Sequence, residues 1–570
     1  MNKPLNEYPR PQFRRESYHS LNGWWDFEIS KKSDIPTSFN NKILVPYSIE
    51  TPCANLKDED GNSLEPHILL PDEFLFYHLS LDIPLDFEIK DKTIIHFTAV
   101  DQICNVFLNG ELVLHHVGGF LPFDVDISSY LQDRKVDIVL RVIDLSDTSY
   151  HSRGKQKLKR GGIWYTPQSG IYLPVWMESV SDGYIKEIKM TPDIDEGVLY
   201  ILVLSDYKES TITFGDKDIK IENNKEYKLK IDNPILWSPE NPYLYPIIIS
   251  NPNDRVESYF AMRKFSTIKD ENGHMRLALN NKPYFMKGVL DQGYYQDSSL
   301  TPRNDEDYIN DIKTMKELGY NTLRKHIKIE SLRWYYHCDK IGMIVWQDFI
   351  NGGEDYSFKT IAFPLIFNKH HSDTNYKKFS RMNEKGRKEA IQEFKDIVHY
   401  LYNVPSIGLW TIFNEGWGQF DSKKIYQLMK EIDSTRIYDH ASGWHDQGIS
   451  ETKSLHVYFK KVKMPKDKEI KGRSVILSEC GGYHLKVEGH TFSDKTFGYK
   501  KLKDSVALEN EYIKFMNRDI LPNIPKGLSA FIYTELSDVE DEHNGWLTYD
   551  RKVLKVDKKK IKAVNDLASY

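Results

Sequence analysis

Between residues 284 and 536 the chain alternates apolar, strand-like runs with longer amphipathic stretches, and it does so eight times. The runs are "YFMKGVL" (284–290), "NTLRKH" (321–326), "MIVWQDF" (343–349), "IGLWTIFN" (407–414), "IYDHAS" (437–442), "LHVY" (455–458), "SVILSE" (474–479) and "LSAFIYTEL" (528–536). Among the intervening stretches, "DEDYINDIKTMKELG" places Ile309, Ile312, Met315 and Leu318 on one helical face. "EKGRKEAIQEFKDIVHYLYN" does the same with Ile391, Phe394, Ile397, Val398 and Leu401. Eight strands with helical connections in about 300 residues predict a (β/α)₈ barrel. A doubly wound sheet is the alternative, but no glycine-rich phosphate fingerprint follows any of these strands.

A chain of 570 residues is too long for one hydrophobic core, and its first 265 or so residues have another texture. "WWDFEI", "FLFYHLSLDI", "KTIIHFTAV" and "KVDIVLRVID" carry alternating or β-branched patterns. Asn109-Gly110, inside "FLNGELVL", is a strong two-residue hairpin signal. Residues 1–181 therefore read as a jelly-roll β-sandwich. Residues 182–268 repeat the style on a smaller scale and read as an immunoglobulin-like β-sandwich of seven strands. Residues 269–570 make up the barrel.

The net charge is −6, with acids and bases interspersed, so no basic face predicts a nucleic-acid partner. The lysine-rich stretches "KQKLKR" (155–160) and "DKKKIK" (557–562) read as solvated surface. Cys53, Cys104, Cys338 and Cys480 lie far apart with no metal-ligand spacing, which points to free thiols in a reducing compartment. The N-terminus has no apolar signal core and no run reaches membrane-spanning length, so the expected location is cytoplasmic, without a membrane partner.

In such a barrel the chemistry sits at the C-terminal ends of the strands. Reading only those ends gives Asp291 and Gln292, then Arg324, Lys325 and His326, then Trp346, Gln347 and Asp348. The later strands end in Asn414-Glu415, His440, His456 and Tyr458, Glu479, and finally Glu535 and Asp538. The apolar runs that lead into Glu415 and Glu479 imply that both are partly enclosed. Two carboxyls facing one mouth meet the need of glycoside hydrolysis: one is held protonated to donate to the leaving oxygen, and the other stays ionised. An Asn beside the acid can bond a sugar hydroxyl, an Arg near the second carboxylate keeps it charged, and a Tyr can orient it. No HExxH motif and no G-x-S-x-G elbow supports metal- or serine-based hydrolysis instead.

These residues carry a resemblance. "LNGWWDF" (21–27), "SGIYLPVWME" (169–178), "ILWSPENPYLY" (235–245), "WTIFNEG" (410–416) and "ILSECGGY" (476–483) occur in the order found in glycoside hydrolase family 2. The chain resembles that family of β-galactosidases, β-glucuronidases and β-mannosidases. The resemblance implies a retaining exo-glycosidase with Glu415 as acid/base, Glu479 as nucleophile and Asn414 as the contact to the 2-hydroxyl. Arg324 would stand near the nucleophile and Tyr458 would orient it. His326, Asp291, Gln292, Asp348, His456, Trp444 and Trp546 complete the expected substrate-binding set. No cofactor or metal is expected.

The family's galactosidases and glucuronidases usually show Arg, two residues, then His-Tyr after the second strand, whereas "RKHIKIE" here places His326 two positions after Arg324 and has no Tyr. The Asn-x-Lys pair that glucuronidases use for the uronate is not evident in "EDEHNGWLTYDRK" (540–552). A neutral sugar is therefore expected, a β-galactoside first; a β-glucuronide and a non-catalytic carbohydrate-binding protein are the alternatives. Lys325 either contacts an anionic group or faces outward among the barrel helices. Trp346, Trp417, Trp444, Tyr294, Tyr483 and Trp546 fall in or near strand ends, where each either packs or walls a sugar subsite. The insert 350–383 follows the third strand and is expected as a lid or an oligomer contact. The resemblance also implies a homo-oligomer.

Overall fold

In a computed structural model, the described residues are 3–362, 364 and 370–570. The first sandwich sets a six-stranded antiparallel sheet, with Phe74–Asp82 and Lys135–Ile143 at its centre, over a four-stranded sheet containing Lys92–Phe97 and Val175–Val180. Trp25, Tyr77, Ile95, Leu140 and Met177 interdigitate between them. Asn109 and Gly110 join two strands of the larger sheet with φ of 50° and 84°, the left-handed pair that a two-residue hairpin turn requires. The second sandwich packs a three-stranded sheet on a four-stranded one, seven strands in all, around Ile201, Val203, Ile249 and Val256.

Eight parallel strands form the barrel: β1 (Met286–Asp291), β2 (Thr322–Lys325), β3 (Ile344–Asp348), β4 (Ile407–Thr411), β5 (Ile437–Asp439), β6 (Thr452–Val457), β7 (Ser474–Gly481) and β8 (Leu528–Thr534). Their hydrogen-bonded order is β5-β4-β3-β2-β1-β8-β7-β6, leaving the seam between β5 and β6 without a ladder. Helices α1 (Asp305–Glu317), α2 (Leu332–Ile341), α3 (Glu384–Tyr400), α4 (Ser422–Ile432) and α5 (Ser505–Phe515) lie among the connections. Asn304, Ser331 and Asn383 accept backbone N–H bonds at the starts of α1, α2 and α3, satisfying donors the helix leaves free. The buried face of α1 is turned slightly from the expected one: Tyr308 and Asp311 join Ile312 and Met315, while Ile309 stays half-buried. The strand expected over 437–442 ends at Asp439, because the chain bends at His440.

A three-stranded antiparallel sheet (Phe265–Lys269, Met275–Leu279, Lys282–Pro283) closes the barrel floor. Phe265, Leu277 and Leu279 share one apolar cluster with the inward-facing Met286, Leu290, Trp346, Leu409, Ile476 and Ile532. The fit is close: a Cβ on Gly408 would stand 2.8 Å from the Phe265 ring. Trp346 thus fills the interior below the mouth. The insert 350–383, expected as a lid or an oligomer contact, contains residues 363 and 365–369, which lie outside the described residues. The described part packs on the loops after β4 and β5 through Arg381 Nε to the Gly418 carbonyl (2.8 Å) and Trp444 Nε1 to the Ile361 carbonyl (3.1 Å).

Replacing Phe265 by Ala removes the ring that seals the floor, and such a truncation costs about 3–5 kcal/mol. The expected outcome is an earlier denaturant midpoint with an unchanged slope. A loss below about 1 kcal/mol would mean that the small sheet is not a packed plug.

Candidate active site

Alternation along the strands sorts the mouth residues. In β2, Thr322, Arg324 and the following His326 point inward while Leu323 and Lys325 point outward; in β3, Trp346 and Asp348 point inward. Arg324 is fully enclosed and its guanidinium is saturated. It donates Nε and Nη2 to the two Asp348 oxygens (3.0 Å each), Nη1 to Glu479 Oε1 and the Ser478 carbonyl (3.0 Å each), and Nη2 to Asn414 Oδ1 (2.8 Å). A planar fork suits this arrangement, which a lysine could not reproduce.

Glu479 reaches the mouth through an irregularity. Leu455 of β6 pairs with Leu477, and His456 pairs with Glu479, so Ser478 is the extra residue of a bulge. Ser478 still faces inward, bonding Ser442 Oγ at 2.9 Å, and the bulge turns Glu479 inward as well. At β4 the strand gives way to left-handed backbone at Glu415 (φ 47°) and Gly416 (φ 74°). A Cβ on Gly416 would come within 2.6 Å of the His445 ring, so glycine is required there on both counts. The Glu415 N–H continues the pairing by donating to the Ser442 carbonyl (2.9 Å).

His456 Nδ1 lies 2.7 Å from Glu415 Oε1, and its Nε2 lies 2.9 Å from Ser442 Oγ and 3.7 Å from Glu479 Oε1. The Tyr458 hydroxyl donates a short bond to Glu479 Oε2 and lies 3.5 Å from Glu415 Oε1. One ligand atom each of Glu415, His456 and Glu479 falls within 4.8 Å of the others, a spacing that would also accept a divalent cation in competition with a proton. The two carboxyls titrate as a pair but in opposite directions. Burial raises the Glu415 pKa, against the bond from His456. Burial also works against ionising Glu479, but the neighbouring His456, Arg324 and His326 outweigh it and hold that carboxyl at about 2.

Asn414 has its orientation set by Arg324, which takes the amide oxygen and leaves Nδ2 buried without a partner. Asp348 holds Arg324 and, at 2.8 Å, His326 Nδ1. The Trp444 ring meets His456 edge-on, with ring centroids 5.3 Å apart. Gln292 is buried near Glu535, with its own carbonyl oxygen unpartnered.

Two expected substrate contacts lie elsewhere. Asp291 points outward from β1, alternating with inward Leu290, and is engaged by Lys325 Nζ at 2.7 Å; Lys325 also binds Glu330 at 3.0 Å, so it belongs to a buried outer-wall network. Trp546 stacks on Tyr533 (4.5 Å) and meets Tyr512 of α5 edge-on (5.0 Å), which places it between β8 and α5, outside the barrel lumen. Tyr483 packs in the same outer layer, and Tyr294 meets Tyr165 edge-on at 4.8 Å.

Some mouth residues escape a search of strand ends. Lys155 is part of "KQKLKR", expected on the surface, yet it is buried where a loop of the first sandwich enters the barrel mouth. Its Nζ lies 3.4 Å from Glu542 Oε1, and Tyr165 of the same loop also bonds Glu542. The visible signal was length, since residues 144–169 run without a strand between two β segments. Tyr499, stacked on Tyr458 at 4.0 Å, had no signal, because only the fold brings the two together.

Two β-sandwiches ahead of an eight-stranded barrel with two unlike carboxyls in its mouth define a modular barrel protein. Family descriptions match all three parts: "Glycosyl hydrolases family 2, sugar binding domain" over 18–176, "Glycosyl hydrolases family 2" over 185–263, and "Glycosyl hydrolases family 2, TIM barrel domain" over 268–474. The chain belongs to glycoside hydrolase family 2. A β-galactosidase of Thermoanaerobacter pseudethanolicus is 25% identical over 371 residues, covering 60% of this chain and 44% of its own. The chain thus spans less than half the length of that curated relative. Among solved structures, a β-D-glucuronidase of Dictyoglomus thermophilum has a TM-score of 0.74 at 17% identity, covering 98% of each chain. A β-galacturonidase of Eisenbergiella tayi bound to galacturonate gives 0.69 at 16%, covering 98% of this chain and 99% of that one. At these identities the structures share the fold.

Arg324→Lys keeps a positive charge but loses the fork, leaving Asp348 half-paired and the Asn414 amide free to turn. Turnover is expected to fall about 10²-fold or more, measured by steady-state kinetics on a responsive aryl β-glycoside. Wild-type turnover in this variant would remove Arg324 from the centre of the site.

Proposed function

We propose that the protein is a retaining, exo-acting β-glycoside hydrolase that releases a terminal neutral sugar, with β-galactosides the first substrates to test. The observation that carries this reading is the pair of unlike carboxyls. Their oxygens come within 4.8 Å, while Glu415 is biased towards its acid form and Glu479 towards its carboxylate. Retaining glycosidases place the two carboxyls about 5–5.5 Å apart, and inverting ones leave room for a water at about 6.5–9.5 Å.

In the first step a Glu479 oxygen attacks the anomeric carbon as Glu415 gives its proton to the glycosidic oxygen. The C–O bond breaks, the aglycone leaves as an alcohol, and the sugar is held as an ester on Glu479. Glu415, now ionised, then takes a proton from water, and that water's oxygen displaces Glu479 from the anomeric carbon. The free Asn414 Nδ2 supplies the donor expected for the 2-hydroxyl. Arg324 and Tyr458 keep Glu479 charged and aimed, and His456 links the two carboxyls. A β-hexuronide is the second reading, favoured by the glucuronidase and galacturonidase of the same fold. The four free thiols support a reducing, cytoplasmic setting.

Glu415→Gln and Glu479→Gln are each expected to lower turnover by orders of magnitude with the fold retained. With Glu479→Gly, azide should restore turnover and give an inverted glycosyl azide. With Glu415→Gly, azide should give a retained product, because Glu479 still forms the ester. NMR of the first-formed anomer decides: an α product released from a β-glycoside by the wild type would refute retention.

The pH dependence of kcat/KM has a sign that follows from the roles. Activity is lost on the acid side as pH falls through the depressed Glu479 ionisation, and on the alkaline side as pH rises through the raised Glu415 ionisation. The two limbs are macroscopic values of the pair. With an activated aryl leaving group, Glu415→Ala should lose the alkaline limb, and EDTA should leave wild-type turnover unchanged. A persistent alkaline limb in that variant would move the acid role to another residue.

A further inference from the structure

The second sandwich joins the barrel through a short link that carries a buried charge. Arg263 lies between the last strand of that sandwich (Asp254–Phe260) and the first strand of the floor sheet (Phe265–Lys269). It is only 3% exposed, and its guanidinium carbon stands 5.5 Å from the centre of the Phe265 ring. Nε donates to the Pro405 carbonyl at 3.0 Å. Among the described residues nothing accepts from the two Nη nitrogens, and no carboxylate stands within ion-pair distance. Its neighbour Arg436 is the contrast, donating to Asp433 (3.1 Å) and to the carbonyls of Tyr402 and Val404 (2.6 and 2.8 Å).

The Arg263 side chain lines a cavity of about 360 Å³ between the two domains. The sandwich contributes Asp193 and Asp195 to the lining, and the barrel contributes Arg436, Ile437 and Glu451. Ile437 opens β5 and Glu451 precedes β6, so the cavity lies at the foot of the seam that has no ladder.

The other charges of the lining are matched without Arg263. Lys264 binds Asp195, Lys430 of α4 binds Glu451 at 2.8 Å, and Asp193 accepts the N–H groups of Asp195 and Glu196 at 2.9 and 3.0 Å. Asp433 and Asp339 act on Arg263 only across space. Asp433 is held by Arg436 and Trp410, and Asp339 by Tyr259 and the Ser406 N–H. Burial, aided by the charge of Arg436, therefore pulls the Arg263 guanidinium down to about 9. A buried cation without a partner is costly, and an anion relieves that cost. Ser266, which lines the same cavity, also has an unpartnered hydroxyl.

We propose that this cavity is a binding site for a phosphate-class oxyanion, held by the Nη fork of Arg263 at the junction of the second sandwich and the barrel. Two parallel N–H donors match two oxygens of a tetrahedral anion, a match that a spherical halide does not offer. A water takes up about 30 Å³ of liquid, so the cavity has room for the ion and for a small organic group that carries it. A bound anion would tie the interdomain link to the foot of β5, where the barrel wall is open. The site lies at the opposite end of the strands from Glu415 and Glu479, and the inference is independent of what the mouth hydrolyses.

Calorimetric titration of the full chain, in a chloride buffer of fixed ionic strength, tests the site with inorganic phosphate in one arm and glucose 6-phosphate in the other. Wild type is expected to bind one anion per chain. Arg263→Met removes the charge and keeps an unbranched side chain, and should weaken binding about tenfold or more, the loss expected for a charge-assisted hydrogen bond. Tighter binding of glucose 6-phosphate than of phosphate assigns the site to a phosphate monoester; equal or weaker binding assigns it to the free ion. No saturable heat from either anion in the wild type would overturn the inference, as would an affinity within about threefold of wild type in Arg263→Met. If that variant does not fold, arsenate, the phosphate isostere, is located in wild-type crystals by its anomalous scattering. A peak at Arg263 supports the site, and arsenate bound only elsewhere, or not at all, overturns it.

Discussion

The site depends on one buried guanidinium. Taking a charge out of water costs several kcal/mol, and removing a partner from such a pair is strongly destabilising. Arg324 is enclosed completely and satisfied on every side by Asp348, Glu479, Asn414 and the Ser478 carbonyl. Three consequences follow from that geometry. Its charge helps keep Glu479 ionised despite burial, its bond to Oδ1 turns the Asn414 amide so that Nδ2 is free, and its hold on Asp348 sets the partner of His326. The proton then belongs on Glu415, where burial outweighs the bond from His456 and the charge of the more distant Lys155. Opposite ionisation of two similar side chains is therefore a property of the neighbours, His456 together with Arg324 and His326 around Glu479.

The mouth is not a property of the barrel alone. His151 and Ser152 bond Glu389 and Glu393 of α3, and Arg153 donates to the Gly353 carbonyl, which anchors the long loop of the first sandwich on the barrel. Lys155 and Tyr165 follow in that loop and reach Glu542. The sandwich thus finishes a wall that the strands cannot supply, because barrel strands carry side chains only to the lumen or to the helices.

Much of this architecture was legible in the residues. The eight apolar runs became eight parallel strands, and the Asn109-Gly110 pair became a tight hairpin with both residues left-handed. Looking only at strand ends collected Arg324, Asp348, Asn414, Glu415, His456, Tyr458 and Glu479, which lie together in the structure. The same rule also collected Asp291 and Trp546, which face away from the lumen. Simple parity would have removed Asp291, since it alternates with inward Leu290. Parity would equally have removed Glu479, since Ile476 and Ser478 are inward, had the bulge at Ser478 not shifted the count. A bulge is set by how β6 and β7 pair, which periodicity along one strand does not record.

By itself the sequence determined the elements and the chemical types at their ends, because hydrophobic period and side-chain pKa are local properties of the chain. Only the tertiary structure decided which ends face one another and which carboxyl keeps the proton. It also decided that Lys155, to all appearance a surface lysine, is buried between two domains. Those outcomes follow from strand register, burial and contacts between residues hundreds of positions apart, such as Lys155 and Glu542. No stretch of the chain carries them alone.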